Sequence, residues 1–511
     1  MHRLLIAALA SMPALLWPVF LPTAMAQDAS TQTLHVALRE DGDMLDPTLA
    51  RTYVGRIVFA GLCDKLFDLD EKLNIVPQLA TGYEWTDSKT LVIHLRPGVL
   101  FQDGTKMDAA AVKYSLDRHL TMKGSSRRGE IAAMDRAEII DPTTIRVVLK
   151  SPSSPFLSQL TDRAGMIVSP TAAQTEGEDF ALHPVCAGPF SFVERVAQDH
   201  ITLDRFPQYW DAPAIHFARV VYRPLVNSSV RLANLQAGSI DLSENITPSD
   251  VEAVKRNPKL KLYMSEALGY LAIGVNIANG PRANSLIGRD ARVRQALSLA
   301  IDRKALIQVV YNGMYTPNAQ AVPSNSPFYA PEVPPPARDV AKARALLREA
   351  GVTLPVKVEM TLANNSDVQQ MGEVIQSMAA EAGFDLKLNT MEFASATSAA
   401  TRGEFQMYLN GWSGRADADG NLWNIIHTGG PLNDSGYSNK DVDSWLEQAR
   451  GVTDIPTRRA FYAKIAAQLM IDLPRIYIYS AKNLVAMSTK LHGFVPVPDG
   501  MVRLQGLRMS Q

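Results

Sequence analysis

Cysteine is scarce in this sequence: Cys63 and Cys186 are the two in 511 residues. Thiols that far apart make no zinc site, whose ligands come in close pairs. Neither sign of charge prevails. With 51 basic against 52 acidic side chains and no basic block, the chain is a poor candidate for a nucleic-acid partner. After residue 26 no run is long and apolar enough to cross a bilayer. The nine histidines are scattered singly, and His427 in "NIIHTGG" has no neighbour at ligand spacing, so no metal site is expected. HExxH, GxSxG and GxxxxGK(S/T) are all missing, which removes three common chemistries: zinc hydrolysis, the nucleophile elbow and the phosphate loop. Asp417 and Asp419 could form a glycosidase-like pair. Their spacing on a loop is equally that of a turn, and no supporting acid is evident. The expectation is a protein that is not an enzyme and uses no cofactor.

What is present starts at the N-terminus. A short basic start, His2 and Arg3, leads into "LLIAALASMPALLWPVFL" and then Ala24-Met25-Ala26, a small-x-small cleavage pattern. Residues 1–26 read as a secretory signal peptide cut before Gln27. The alternative, a membrane anchor, is opposed by Pro13, Pro18 and Pro22, which interrupt a run already short for a span. No cysteine follows the cut, so no lipid anchor is expected, and the periplasm is the expected location. In that oxidising compartment Cys63 and Cys186 are expected to form a disulfide, two separate buried thiols being the alternative. The remaining length exceeds what one core organises, so two or more lobes are expected.

The first part of the mature chain reads as strands with single helices. "TLHVALRE" alternates Leu34, Val36 and Leu38 against polar neighbours. In "TLVIHLRPGVLFQDGTKMDAAAVKYSLDRHL" a strand and a turn precede a helix capped by Asp108, with Val112, Leu116 and Leu120 on one face. The middle changes character. Asp302 caps a helix that Gly313 ends. "VAKARALLREAG" then "LPVKVEM", and "DVQQMGEVIQSMAAEAG" then "FDLKLNTMEF", give two helix-glycine-strand units in succession. That order indicates an α/β lobe with parallel strands. "EFQMYLNGW" alternates Phe405, Met407 and Leu409, a further strand, and delivers Trp412 and Arg415 in "GWSGRADADG" to its end. In open α/β sheets ligands bind beyond the carboxyl ends of strands. The bland alternative is a surface loop with a packed Trp and solvated charges.

Several segments resemble, in order, the extracellular solute-binding proteins of family 5, the dipeptide- and oligopeptide-binding receptors of ABC importers. They are "LDPTLA", the stretch from "LFDLDEKLN" to "AAAVKYSLDR", "CAGPF", the stretch from "FPQYWDAPA" to "LQAGSIDL", "VRQALSLAIDRKALIQVVYNG" and "LNGWSGRADADGNLW". The resemblance implies an α/β, two-lobed periplasmic-binding-protein clamshell (type II, large peptide-binding class) with an extra subdomain in lobe I. By analogy lobe I is 27–275, with the subdomain at about 76–184; lobe II is 276–480; and 481–511 is a tail returning to lobe I. The crossings fall near "YLAIGVNI" and "IYIYSAKNLVAM". The implied function is capture of a peptide or peptide-like solute between the lobes and delivery to the permease subunits of an ABC transporter, by a monomer. Secreted hydrolase and chaperone-like binder of unfolded chains are the alternatives.

The resemblance also supplies a candidate ligand-binding set: Trp412, Ser413, Arg415, Asp417 and Asp419 on the loop, with Tyr53, Tyr270 and Asn276. For Tyr53 core packing is an equal reading, and for Tyr270 and Asn276 a hinge-strand role. The chain departs from the dipeptide receptors at two anchors. Arg415 stands where they carry an Asp for the ligand's amino terminus, and Gln369 or Gln370 stands where they carry an Arg for its carboxylate. Arg415 is therefore expected to meet an anionic group and set the ligand class, with a modified peptide, a glutathione-like γ-peptide or an opine as candidates.

Overall fold

The computed structural model describes residues 32–510; the leader expected at 1–26 lies outside them. Strand Thr33–Leu38 sits inside a seven-stranded sheet, parallel to Arg219–Pro224 on one side and to Leu242–Ser243 on the other. Its alternating residues Leu34, Val36 and Leu38 are buried in the lobe I core with Val58, Phe59 and Tyr222. A second sheet of six strands runs Thr316–Pro317, Arg475–Ser480, Tyr270–Val275, Met407–Trp412, Val356–Ala363, Phe384–Met391. Its last three strands are parallel. Helix Ser366–Ala382 makes the crossover, burying Met371, Ile375, Ala379 and Ala382 and ending at Gly383, whose φ of 102° suits a residue without Cβ. A separate four-stranded antiparallel sheet, Ala80–Asp87, Thr90–Leu95, Thr144–Leu149 and Met134–Asp141 in spatial order, packs with helix Ala109–Thr121 around its own apolar core. Asp108 caps that helix, its side chain accepting from the Ala110 and Ala111 amides.

The chain crosses between the two large sheets twice. Strand Leu260–Glu266 belongs to the first and Tyr270–Val275 to the second, so the first crossing occupies 267–269. This corrects the expected boundary at 276: Tyr270–Val275 is flanked on both sides by lobe II strands, Met407–Trp412 and Arg475–Ser480. The second crossing is at Ala481, between Arg475–Ser480 and Lys482–Ser488. Lys482–Ser488 pairs with Leu260–Glu266 and Leu242–Ser243, and Val502, Leu504 and Leu507 lie in the lobe I core.

Cys63, at the end of helix Tyr53–Leu62, is bonded to Cys186, the S–S distance being 1.98 Å. The turn after Cys186 presses on that helix end. A Cβ on Gly188 would lie 2.3 Å from the Leu62 carbonyl carbon, so this close approach needs glycine. No described helix is long and apolar enough to cross a membrane.

Candidate functional site

The lobes enclose a cavity of about 1250 Å³, counted to its open mouth, between the two crossings. Lobe I contributes Arg39 and Glu40 from the end of its central parallel strand, Tyr53 from the start of the next helix, and Glu244 beyond the neighbouring parallel strand. Lobe II contributes Tyr270 and the strand end Asn410 to Trp412, with Ser413, and Asp367 from the first turn of helix Ser366–Ala382. Both sheets thus present the carboxyl ends of parallel strands to one space, where such sheets bind ligands.

Trp412 is oriented from behind. Its indole Nε1 donates to Asn421 Oδ1 (3.0 Å), which also accepts the Arg415 amide (2.7 Å). Tyr270, opposite Trp412 in the strand register, packs edge-on against Tyr477 at 4.8 Å between ring centroids. The backbone here is too tight for side chains. A Cβ on Gly269 would sit 1.8 Å from the Trp412 carbonyl oxygen, and one on Gly414 would sit 2.2 Å from the Leu268 carbonyl carbon. The glycines therefore let the loop lie directly on the first crossing. On the lobe I wall the Tyr53 hydroxyl donates to the Gly500 carbonyl (2.7 Å), and the Arg39 guanidinium stacks 4.7 Å above the Tyr53 ring.

Of the candidate residues, Tyr53, Tyr270, Trp412 and Ser413 face the cavity. The other four do not, which corrects their expected placement. Arg415 is 8% exposed and turned towards lobe I, its Nε 2.5 Å from Asp162 Oδ2. Asp162 Oδ1 also accepts from Arg56 Nε (3.1 Å), and Arg56 reaches Ser413 Oγ (3.0 Å). One carboxylate thereby clasps an arginine from each lobe. Burial alone would raise the Asp162 carboxyl, but Arg415, Arg56 and Arg163 hold it well below its ordinary range. Burial and the neighbouring Arg56 push Arg415 down to about 10, leaving it a cation at neutral pH. Asp417 takes both terminal nitrogens of Arg458 at 2.7 Å. Asp419, 1% exposed, accepts from Arg450 (2.7 and 2.8 Å) and from Gln159 of lobe I (3.2 Å). Asn276 is fully buried within lobe II, donating to the carbonyls of Asn279, Gly403 and Phe405.

Cavity-lining residues that the sequence reading did not name include Arg39, Glu40, Glu244 and Asp367. A signal for the first two was present, since "LRED" ends the alternating strand where a parallel sheet opens. His427 stacks on Trp423 at 4.3 Å, away from the cavity. Among the described residues no group of His, Cys, Asp and Glu has the arrangement to hold a metal ion.

Residues 74–433 match the family described as bacterial extracellular solute-binding proteins, family 5 middle. The glutathione-binding protein GsiB of Pectobacterium atrosepticum is 30% identical over 483 residues, covering 91% of this chain and 92% of its own. Among solved structures, the periplasmic binding protein DppA of Helicobacter pylori in complex with the peptide STSA is similar at a TM-score of 0.86. It is 24% identical, with 95% of this chain and 99% of that one covered. AgaA of A. tumefaciens R10, in complex with agropinic acid, has a TM-score of 0.85 at 25% identity, with 94% and 99% covered.

Proposed function

The chain belongs to the family 5 bacterial extracellular solute-binding proteins, and from that premise we propose that its cleft takes a peptide or peptide-like small solute. The protein is the periplasmic substrate-binding component of an ABC importer. The observation that carries the reading is the cavity walled by both lobes at the two crossings. The aromatic faces of Tyr53, Tyr270 and Trp412 would bury apolar parts of the solute, and Asn245, Asn410 and Asn483 offer amides for a peptide-like backbone. Relatives and neighbours whose names carry glutathione, a peptide and agropinic acid sort with that chemistry.

The mechanism proposed is closure without a covalent step. A solute touching both walls binds the closed arrangement better than the open one, and shifts the population by that difference alone. The loaded monomer then presents its joined lobes to the permease subunits. Export relies on the leader cut before Gln27. Native mass spectrometry of protein purified from periplasm tests the reading, with a bound small solute as the expected result. A preparation that carries none and captures none from a peptide digest would sink it. Turnover of peptides or glycosides would point instead to a hydrolase, and capture of unfolded chains alone to a chaperone-like binder.

A further inference from the structure

The charged groups around the cavity are not evenly partnered. Each cation facing it has an acid beside it. Arg39 Nε lies 3.8 Å from Glu244 Oε1, Arg51 Nη2 lies 2.7 Å from Asp434, and Lys482 Nζ lies 3.2 Å from Glu266. Two acids that line the same cavity have no such neighbour. Glu40 is only 6% exposed, yet its carboxylate makes no hydrogen bond or ion pair to any described residue, and neither does that of Asp367. They approach the space from opposite lobes: Glu40 follows strand Thr33–Leu38, and Asp367 lies in the first turn of helix Ser366–Ala382.

A buried carboxylate without a partner is costly, and is relieved either by taking a proton or by receiving a cation. Glu40 shows that tension. Burial raises its carboxyl to about 7, Arg39 offsets part of the rise, and Glu244, Asp367 and Glu392 add to it. Tyr408 also faces it, as a neutral phenol at physiological pH. Building on the reading of the cleft as a peptide-type receptor, we infer that Glu40 and Asp367 together hold a positively charged group of the solute, an ammonium or guanidinium, across the closed lobes. The ligand class is then a peptide-like molecule with a basic group. Arg415 does not choose the charge, because Asp162 already neutralises it.

The two acids give closure a direct electrostatic cause. In an open arrangement each is hydrated by itself. On closure without a cation they face each other as like charges in a drier space, and with one they share it. A bound cation also favours ionised Glu40, so binding releases a proton where the pH lies near or somewhat below about 7 and the empty protein's Glu40 is still protonated.

The test is calorimetric titration of the purified protein with three probes: trialanine, N-acetyl-trialanine, and N-acetyl-alanyl-lysine. The first carries its cation at the amino terminus, the second has none, and the third carries it on a side chain. At least tenfold tighter binding of trialanine or of the lysine probe than of N-acetyl-trialanine is expected, and which of the two wins identifies the source of the charge. Glu40→Gln and Asp367→Asn should each erase most of that preference, weakening the cationic probes far more than N-acetyl-trialanine. Affinity for the preferred probe should fall as pH drops from 8 to 5.5 in the parent and stay flatter in Glu40→Gln. Equal binding of all three probes would overturn the inference and leave the receptor reading intact. Binding of none, by a protein that also captures no solute from a peptide digest, would overturn both.

Discussion

Arg415 and Glu40 are both buried charges at the meeting of the two lobes, and they stand in opposite circumstances. Arg415 has a carboxylate 2.5 Å away, contributed by the other lobe and shared with Arg56. Glu40 has no partner and a carboxyl raised to about 7. The first is an internal clasp whose charge is satisfied by the protein itself. The second is a charge left for something that arrives. A motif that carries a conspicuous charge is therefore a weak guide to a ligand, and the state of that charge's partner is a strong one.

The two groups should respond to pH in opposite directions. Asp162 is held far below 3.8, so its contribution is complete above that value and is lost as pH falls through the lower one. Glu40, with a folded value near 7 against 4.5, contributes stability that is complete below 4.5 and is lost as pH rises through about 7.

The largest expected effect breaks the clasp. Asp162→Ala leaves Arg415 and Arg56 buried without their carboxylate, and should cost about 3–5 kcal/mol of unfolding free energy in urea melts at pH 7. A loss under 1 kcal/mol would mean that water or Glu130, whose charge also acts on Arg415, takes over, and the contrast with Glu40 would collapse. Next comes the bond that ties helix Tyr53–Leu62, and so Arg56, to the rest of lobe I. With its cysteines 123 positions apart, the double change Cys63→Ala with Cys186→Ala should cost about 2–5 kcal/mol through the freed unfolded chain. Probe selectivity should survive it, because Glu40 and Asp367 lie on other elements. Glu40→Gln should act with the opposite sign. Without ligand at pH 8 the variant should be more stable than the parent by about 2 kcal/mol, a gain that vanishes by pH 4.5. A variant less stable than the parent at pH 8 would show that the Glu40 carboxylate is already satisfied in the empty protein.

Much of this arrangement is legible in the amino-acid sequence. Period-two alternation located Thr33–Leu38 and Met407–Trp412, and the repeated helix-glycine-strand order located the parallel part of the lobe II sheet. Local rules failed by small steps where a neighbour shared the job. The helix Arg303–Tyr311 ends at Asn312, already left-handed at φ 49°, one residue before the expected Gly313. The lobe boundary was missed because Tyr270–Val275 is almost wholly buried, and an apolar strand carries no mark of which sheet it joins. The fate of Arg415 was out of reach for a different reason. Asp162 sits in "LTDRAG", a segment with no motif, far along the chain, and only the packing of one lobe on the other brings them together. Glu40 was visible at a strand end, but its lack of a partner is a property of the whole cleft.

The smallest expected effect concerns the helix that carries Asp367. Dipeptide receptors resembling this chain hold a ligand carboxylate with an Arg at a place that falls near Gln369 or Gln370. Here Gln369 Nε2 donates to the Asn364 carbonyl (2.9 Å), Gln370 is exposed, and neither faces the cavity. Asp367, earlier in the same helix, does. If partnerless charge marks the ligand wall, the neutral exposed position should matter little. Gln370→Ala should change stability by no more than about 0.5 kcal/mol, as surface substitutions away from special features do. Its affinity for the preferred probe should stay within about twofold of the parent, an interval of about 0.4 kcal/mol. Measured beside Asp367→Asn, it separates a general disturbance of the helix start from the loss of one charge. A tenfold loss in Gln370→Ala would place a neutral anchor on this helix, and the distinction between satisfied and waiting charges would no longer be enough to find the site.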